Sequence, residues 1–296
     1  MRRALSMTVL AATAALALTA QMTAAYGDRN VTDGTIFRGD GAVSAGDLAA
    51  AQTAEPVQKD FRWTGQVAAG RIVQVKGVLG GIKAEPSSGG EVEVVAVKRG
   101  KRNNPDEVRV QVVEHGDGVT ICAVYPSGEE GKVNTCEPGD SNHTHVRDND
   151  VQVEFAVRVP AGVRFSGSTV SGSVEAKGMS ADVDARTVNG SIRVATTALA
   201  RAQTVNGSIT ASVGNANWTN ELEFATVNGA IDLSFPANLS TEVHAETVNG
   251  NITSDFTVTV QGRFSKRNLS GMIGSGGRDL RLRTVNGNVQ IRRTAS

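Results

Sequence analysis

Apolar and polar residues alternate with a period of two through most of this chain, the pattern of strands with one buried face. The clearest stretches are Arg71–Lys76, Glu91–Val97, Glu107–Val113, Val119–Val124 and Val151–Val159. Turn-forming residues separate them: Gly80-Gly81, Ser87 to Gly90, Asn103-Asn104-Pro105 and Gly116-Asp117-Gly118. Pro160-Ala161-Gly162 closes this first set.

After residue 165 the alternation becomes a repeat. Thr187-Val-Asn-Gly-Ser-Ile192 returns as Thr204–Ile209, Thr226–Ile231, Thr247–Ile252 and Thr284–Val289. Degenerate copies lie at Thr169-Val-Ser-Gly-Ser-Val174 and Asn268-Leu-Ser-Gly-Met-Ile273, and an upstream one at Val78-Leu-Gly-Gly-Ile82. From residue 172 the repeat glycines recur every 16 to 22 residues. Units this short cannot bury an apolar face alone and must stack, so the period predicts a β-solenoid. A meander of hairpins is the alternative, because Asn-Gly also makes tight two-residue turns.

In the solenoid, Asn189-Gly190, Asn206-Gly207, Asn228-Gly229, Asn249-Gly250 and Asn286-Gly287 become corners, chosen for their tolerance of positive φ. The side chains of Asn189, Asn206, Asn228 and Asn249 would bond to one another in a ladder. Ile192 and Val194, Ile231 and Leu233, and Val289 and Ile291 should point inward after the corner. Val183 and Ala185, Leu222 and Phe224, Val243 and Ala245, and Leu280 and Leu282 should do so before it, with Arg193, Asp232 and Gln290 outside.

The fold class is therefore all-β: a right-handed, single-stranded β-helix with a β-rich N-terminal region. Only 4% of the residues are aromatic while 33 are glycine, which suits a slender aliphatic core under many turns. Arg2 and Arg3 followed by the apolar run Leu5–Leu18 read as a signal peptide over residues 1–25. No Cys follows that run to carry a lipid, and no other stretch could span a bilayer as a helix. Residues 26–58 read as a flexible leader with a short helix near 45–54, residues 59–165 as the N-terminal β-rich part, and 166–296 as the repeats. A net charge of zero with interspersed signs excludes a nucleic-acid partner.

Candidate chemistry is sparse. In an exported chain, Cys122 and Cys136 are expected to form a disulfide across a hairpin loop. His143 and His145, with Asp148 or Asp150 nearby, form one weak metal-binding pattern that lacks a fixed third ligand. His115 and His244 stand alone as surface strand residues. Some β-helices cleave polysaccharides with carboxylates stacked on adjacent coils. The outward positions Arg186, Gln203, Ala225, Glu246 and Arg283, and Arg193, Thr210, Asp232, Thr253 and Gln290, give no such stack.

Several segments in order resemble a bacterial family of adhesin-like domains of unknown function. They are Val67 through Gly70-Arg71-Ile-Val-Gln-Val75, Gly80-Gly81-Ile82-Lys-Ala84, Glu91–Val97, Gly118–Pro126, Val153-Glu-Phe-Ala-Val-Arg-Val-Pro-Ala-Gly-Val163 and the Thr-Val-Asn-Gly repeats. The resemblance spans roughly Trp63 to Ile291 and implies an envelope-exposed, non-catalytic β-helix with no catalytic residues and no cofactor. Two roles follow: binding of an envelope glycan or protein through repeated polar faces, or a structural or stress-responsive role in the periplasm, with self-association.

Overall fold

The computed structural model describes residues 57–128, 131–140, 144–218, 221–260 and 265–294. The expected signal peptide, nearly all of the leader including its short helix, and His143 lie outside the described residues.

The N-terminal part supplies β1 (Val57–Gly65), β2 (Ile72–Lys76), β3 (Ile82–Pro86), β4 (Val92–Gly100), β5 (Arg109–His115), β6 (Gly118–Val124) and β7 (Gln152–Val159). β5 starts two residues later than its alternation suggests. Pro105–Glu107 form a 3-10 turn there, capped by Asn104, whose side chain accepts from the Asp106 amide. The repeats supply β8 (Arg164–Ser171) with β9 (Val174–Met179), β10 (Val183–Asn189) with β11 (Ile192–Thr196), and β12 (Ala200–Gln203) with β13 (Ile209–Val213). They continue with β14 (Leu222–Ala225) and β15 (Ile231–Phe235), then β16 (Thr241–Asn249) and β17 (Ile252–Ser254). β18 (Val258–Val260), β19 (Asn268–Ile273), β20 (Asp279–Asn286) and β21 (Val289–Arg293) end the series.

These strands make two long sheets. The first runs β1-β4-β7-β3-β9-β11-β13-β15-β21-β17 and the second β18-β19-β16-β20-β14-β12-β10-β8-β2-β6-β5. Each coil gives one strand to each sheet and turns between them at the repeat glycine. Coil contacts are parallel, as stacking requires and a meander forbids. All fourteen inward residues named above are buried, and their side chains fill the space between the sheets. Antiparallel pairs flank the coils, β4 on β7 and β5 on β6 at one end and β19 on β16 at the other end of the second sheet, while β17 is the last strand of the first. Such pairing covers edges that would otherwise recruit another chain.

Stacking does not follow chain order. The coil of β20 and β21 sits between the coil of β14 and β15 and that of β16 and β17. Likewise, the coil of β2 and β3 packs directly on β8 and β9. Two expectations are corrected by this order. The side-chain ladder runs Asn189–Asn206–Asn228–Asn286–Asn249, with Nδ2 to Oδ1 distances of 2.7 to 2.8 Å, so Asn228 meets Asn286 and not Asn249. Asn268–Ile273 makes no corner at all; as β19 it runs antiparallel along β16.

The reason for glycine also differs from expectation. Gly190, Gly207, Gly229, Gly250 and Gly287 do not adopt positive φ, and neither do the asparagines before them. Their corners instead touch. A Cβ on Gly190, Gly207 or Gly229 would lie 2.0 Å from the carbonyl oxygen of Gly172, Gly190 or Gly207 in the neighbouring coil. On Gly287 and Gly250 it would lie 1.9 Å from the oxygens of Gly229 and Gly287. The same oxygens accept the buried threonine hydroxyls of the motif. Thr187 bonds Gly172 at 2.8 Å, Thr204 bonds Gly190, Thr226 bonds Gly207 and Thr284 bonds Gly229, each at 2.9 Å. Thr-x-Asn-Gly is thus a complete stacking device: a hydroxyl to satisfy a buried carbonyl, an amide rung, and a residue without a side chain at the point of closest approach.

Candidate functional site

Alternation turns every second side chain of the second sheet outward, and the stack lines these residues up across coils. On β10 the outward residues are Asp184 and Arg186, and on β12 Arg201 and Gln203; in register, Asp184 lies between Ser166 and Arg201. A trough of about 630 Å³ opens over this face, bounded by Gln74, Asp140, Arg164, Asp184, Arg201 and Trp218, among others. A second hollow of about 270 Å³ continues it past Arg186, Gln203, Glu221 and Glu223. The two share Asp184 and Arg201.

One wall is a loop, not a strand. Residues 136–140 are strapped onto the sheet by the disulfide between Cys122 of β6 and Cys136, whose Cα atoms are 5.6 Å apart. The Lys76 ammonium donates to the Glu137 carbonyl at 2.7 Å. The Gln74 side-chain amide grips Gly139 from both sides, donating to its carbonyl at 3.0 Å and accepting from its N–H at 3.1 Å. Asp140 then pairs with Arg186 at 3.0 Å. At the other end Trp218 is buried; its indole donates to the Asp279 carbonyl at 3.3 Å, and its ring packs at a tilt on Phe235 with centroids 6.2 Å apart.

The electrostatics of the trough are uneven. Burial raises the pKa of Asp184, and the nearby Asp140 adds to that, against the pull of Arg186 and Arg201. Burial lowers the pKa of Lys76, opposed by Asp140 and Glu137. Burial would also lower that of Arg186, but Asp184 and Asp140 outweigh it and hold the guanidinium charged. Gln203 donates to Glu223 at 3.2 Å and Arg201 to the Glu221 carbonyl at 3.1 Å. Carboxylates, guanidinium groups and an amide are therefore held on rigid strands, with polar atoms directed at an open groove.

Of the residues named from the sequence, the outward positions Arg186 and Gln203 line the groove. So does His115, which is not isolated, because its Nε2 lies 3.1 Å from Thr120 Oγ1. The others fall elsewhere. The Asn-Gly corners lie at the far end of the strands; Asn189 is five residues beyond Asp184, about 16 Å along an extended chain. His145 is half-buried in a loop, where its backbone amide donates to Asn134 Oδ1 at 2.9 Å. Asp150 is occupied by the backbone amides of Arg102 and Asn103. His244 is not isolated: its Nδ1 lies 3.1 Å from Ser270 Oγ and its Nε2 3.6 Å from Glu242. Carboxylates do stack from coil to coil, since Glu242 pairs in register with Asp279. That stack appears only because β20 intrudes beside β16, a step no local pattern announces. The trough likewise joins residues more than 100 positions apart, and the sequence hinted at it only through the loop cysteine and the outward positions of Arg186 and Gln203.

Comparison with solved structures finds distant likenesses, among them the following three. A "putative cell adhesion protein" from Clostridium sporogenes aligns with 80% of this chain and 100% of its own, at 10% identity and a TM-score of 0.43. A "putative adhesin" from Bacteroides fragilis aligns with 80% and 97%, at 13% identity and a TM-score of 0.28. One from Parabacteroides distasonis aligns with 79% and 97%, at 10% identity and a TM-score of 0.27. No curated protein matches the chain. The Toastrack family DUF4097 matches residues 135–292, just over half of the sequence and nearly all of the repeat stack, and the chain belongs to that family.

Proposed function

We propose that this protein is a non-catalytic, exported binding module that holds an envelope or extracellular glycan in the trough on its second sheet. The supporting observation is the trough itself: it runs across successive coils, is open along its length, and presents Asp184, Arg186, Arg201 and Gln203 from a rigid surface. A polymer laid across the coils could engage several such groups at once, each contact weak and the sum firm. Export is supported by the Cys122–Cys136 disulfide, which persists in oxidising compartments, and by the signal-like N-terminus. Among the described residues no helix is long and apolar enough to cross a membrane.

The test is an array of peptidoglycan fragments, lipopolysaccharide cores and extracellular polysaccharides, probed with the disulfide-intact protein and with Arg201→Ala and Gln203→Ala. Glu93→Ala, on the opposite sheet, is the control. Retention of a glycan that drops at least roughly tenfold in both trough variants and not in the control supports the reading. Equal retention by all four proteins, or none by any, refutes it. In the latter case an envelope protein partner or self-association becomes the better reading.

A further inference from the structure

Beyond the trough, the same sheet face carries a second arrangement that the binding reading does not use. Glu242 and His244 share the outward side of β16, and Asp279 sits opposite Glu242 on β20. One ligand-capable atom from each lies within 4.8 Å of the other two. All three side chains are between one third and two fifths exposed, so an ion could reach them from solvent.

The imidazole is already oriented. Ser270 Oγ lies 3.1 Å from His244 Nδ1, which leaves Nε2 facing Glu242 Oε1 at 3.6 Å. A ring nitrogen held by an outer partner while the other faces carboxylates is the usual arrangement around a histidine ligand. Ser270 belongs to β19, the segment whose repeat-like sequence makes no corner, so that strand gives the cluster its support.

We propose that Glu242, His244 and Asp279 form a surface site for a zinc-class divalent cation, with water completing the coordination. One imidazole nitrogen and two carboxylate oxygens suit zinc and its first-row neighbours better than calcium or magnesium, which take oxygen ligands. Ligands about 2.0–2.1 Å from a tetrahedral ion are roughly 3.4 Å apart, so the half-exposed side chains need to close by about 1 Å. Arg281 opposes this. Its Nη2 lies 3.3 Å from Asp279 Oδ2 and its Nε 3.1 Å from Glu221, so the guanidinium competes with a cation for the carboxylate. The site does not rest on the glycan reading, although Arg281 links it to Glu221 of the second hollow.

Titration calorimetry with Zn²⁺ on tag-free, disulfide-intact protein tests it, with circular dichroism melts in chelator to verify that each variant is folded. One equivalent of zinc should bind at least roughly tenfold more tightly than calcium. His244→Ala and Asp279→Asn should weaken zinc by at least tenfold, Ser270→Ala by roughly tenfold, and Arg281→Gln should tighten it. His115→Ala and His145→Ala should change nothing. Absence of binding in the wild type, binding indifferent to His244→Ala, or loss on His145→Ala instead would each overturn the assignment.

Discussion

Replacing Gly229 by alanine puts a methyl group where the neighbouring coil's backbone already lies. The new Cβ would sit 2.0 Å from the Gly207 oxygen, 2.4 Å from its carbonyl carbon and 2.9 Å from the Ser208 nitrogen. Backbone atoms cannot rotate aside as a side-chain tip can, so the two corners must separate by about 1 Å or more. The hydrogen bonds that cross that gap include five short ones. Thr226 Oγ1 donates to the Gly207 carbonyl, Gly207 N to that of Asn228, Asn228 N to that of Val205 and Ile209 N to that of Ala230, while Asn228 Nδ2 donates to Asn206 Oδ1, all at 2.8 to 2.9 Å. Lengthened by 1 Å they are no longer hydrogen bonds, and at about 1 kcal/mol net each the loss is roughly 3–5 kcal/mol. That is a large part of the about 5–15 kcal/mol that holds a typical domain together. Gly90→Ala is the control, since a Cβ there meets nothing within 4 Å and the residue has no positive φ. Urea denaturation followed by far-ultraviolet circular dichroism gives both values on one scale. If Gly229→Ala falls within about 0.5 kcal/mol of Gly90→Ala, the corners are not in contact.

Further outcomes are expected from the same geometry. Ile231→Asp places a carboxylate in the dry interior and should abolish cooperative unfolding, whereas Asp232→Ala loses only a part-exposed pair with Arg292 and should cost no more than about 1 kcal/mol; equal melting temperatures would contradict the inward and outward assignment. Deleting residues 278–296 removes β20 and β21 from inside both sheets, so residues 164–260 should lose their fold; a truncated protein with an unchanged melting transition would contradict this. Tyr125 is buried, and its hydroxyl donates to the Val151 carbonyl at 2.7 Å. Burial above all raises its pKa, so its contribution to stability is complete below the unfolded value of about 10 and is lost as pH rises beyond it. Ultraviolet titration should therefore show Tyr125 ionising only as the alkaline protein unfolds, a result that early ionisation of both tyrosines would exclude.

Much of the architecture was legible because burial in a strand is written locally. Val183, Ile231 and Leu280 declare their faces by alternation alone, and the recurring Thr-Val-Asn-Gly marks each corner. What the local pattern lacks is the identity of the neighbour. Asn228 pairs with Asn286, 58 positions away, while Asn249 is nearer in sequence and farther in the stack. Nothing in either asparagine records that choice; it follows from β18 and β19 extending the second sheet beyond β16 before the chain returns to pair β20 on its other side. The role of glycine was misread for a related reason, since positive φ is a property of one residue and close approach a property of two coils. The same blindness hid the Glu242–His244–Asp279 cluster, assembled from coils that are adjacent only in space, and the wall that Gln74 and Asp140 add to the trough. His143 and His145, which lie close in sequence, drew attention for that nearness alone.

The out-of-order stack is the claim on which the order of the ladder and the carboxylate pair both depend, and paired cysteines test it directly. Adjacent coils place partner Cα atoms about 4.8 Å apart, within disulfide range, while alternate coils are separated by roughly 9.6 Å, outside it. Asn228→Cys with Asn286→Cys should oxidise to an internal crosslink, identified by peptide mapping beside the intact Cys122–Cys136 bond, and Asn228→Cys with Asn249→Cys should not. Efficient crosslinking of 228 to 249, with 286 left free when paired with 228, would show that the coils stack in chain order.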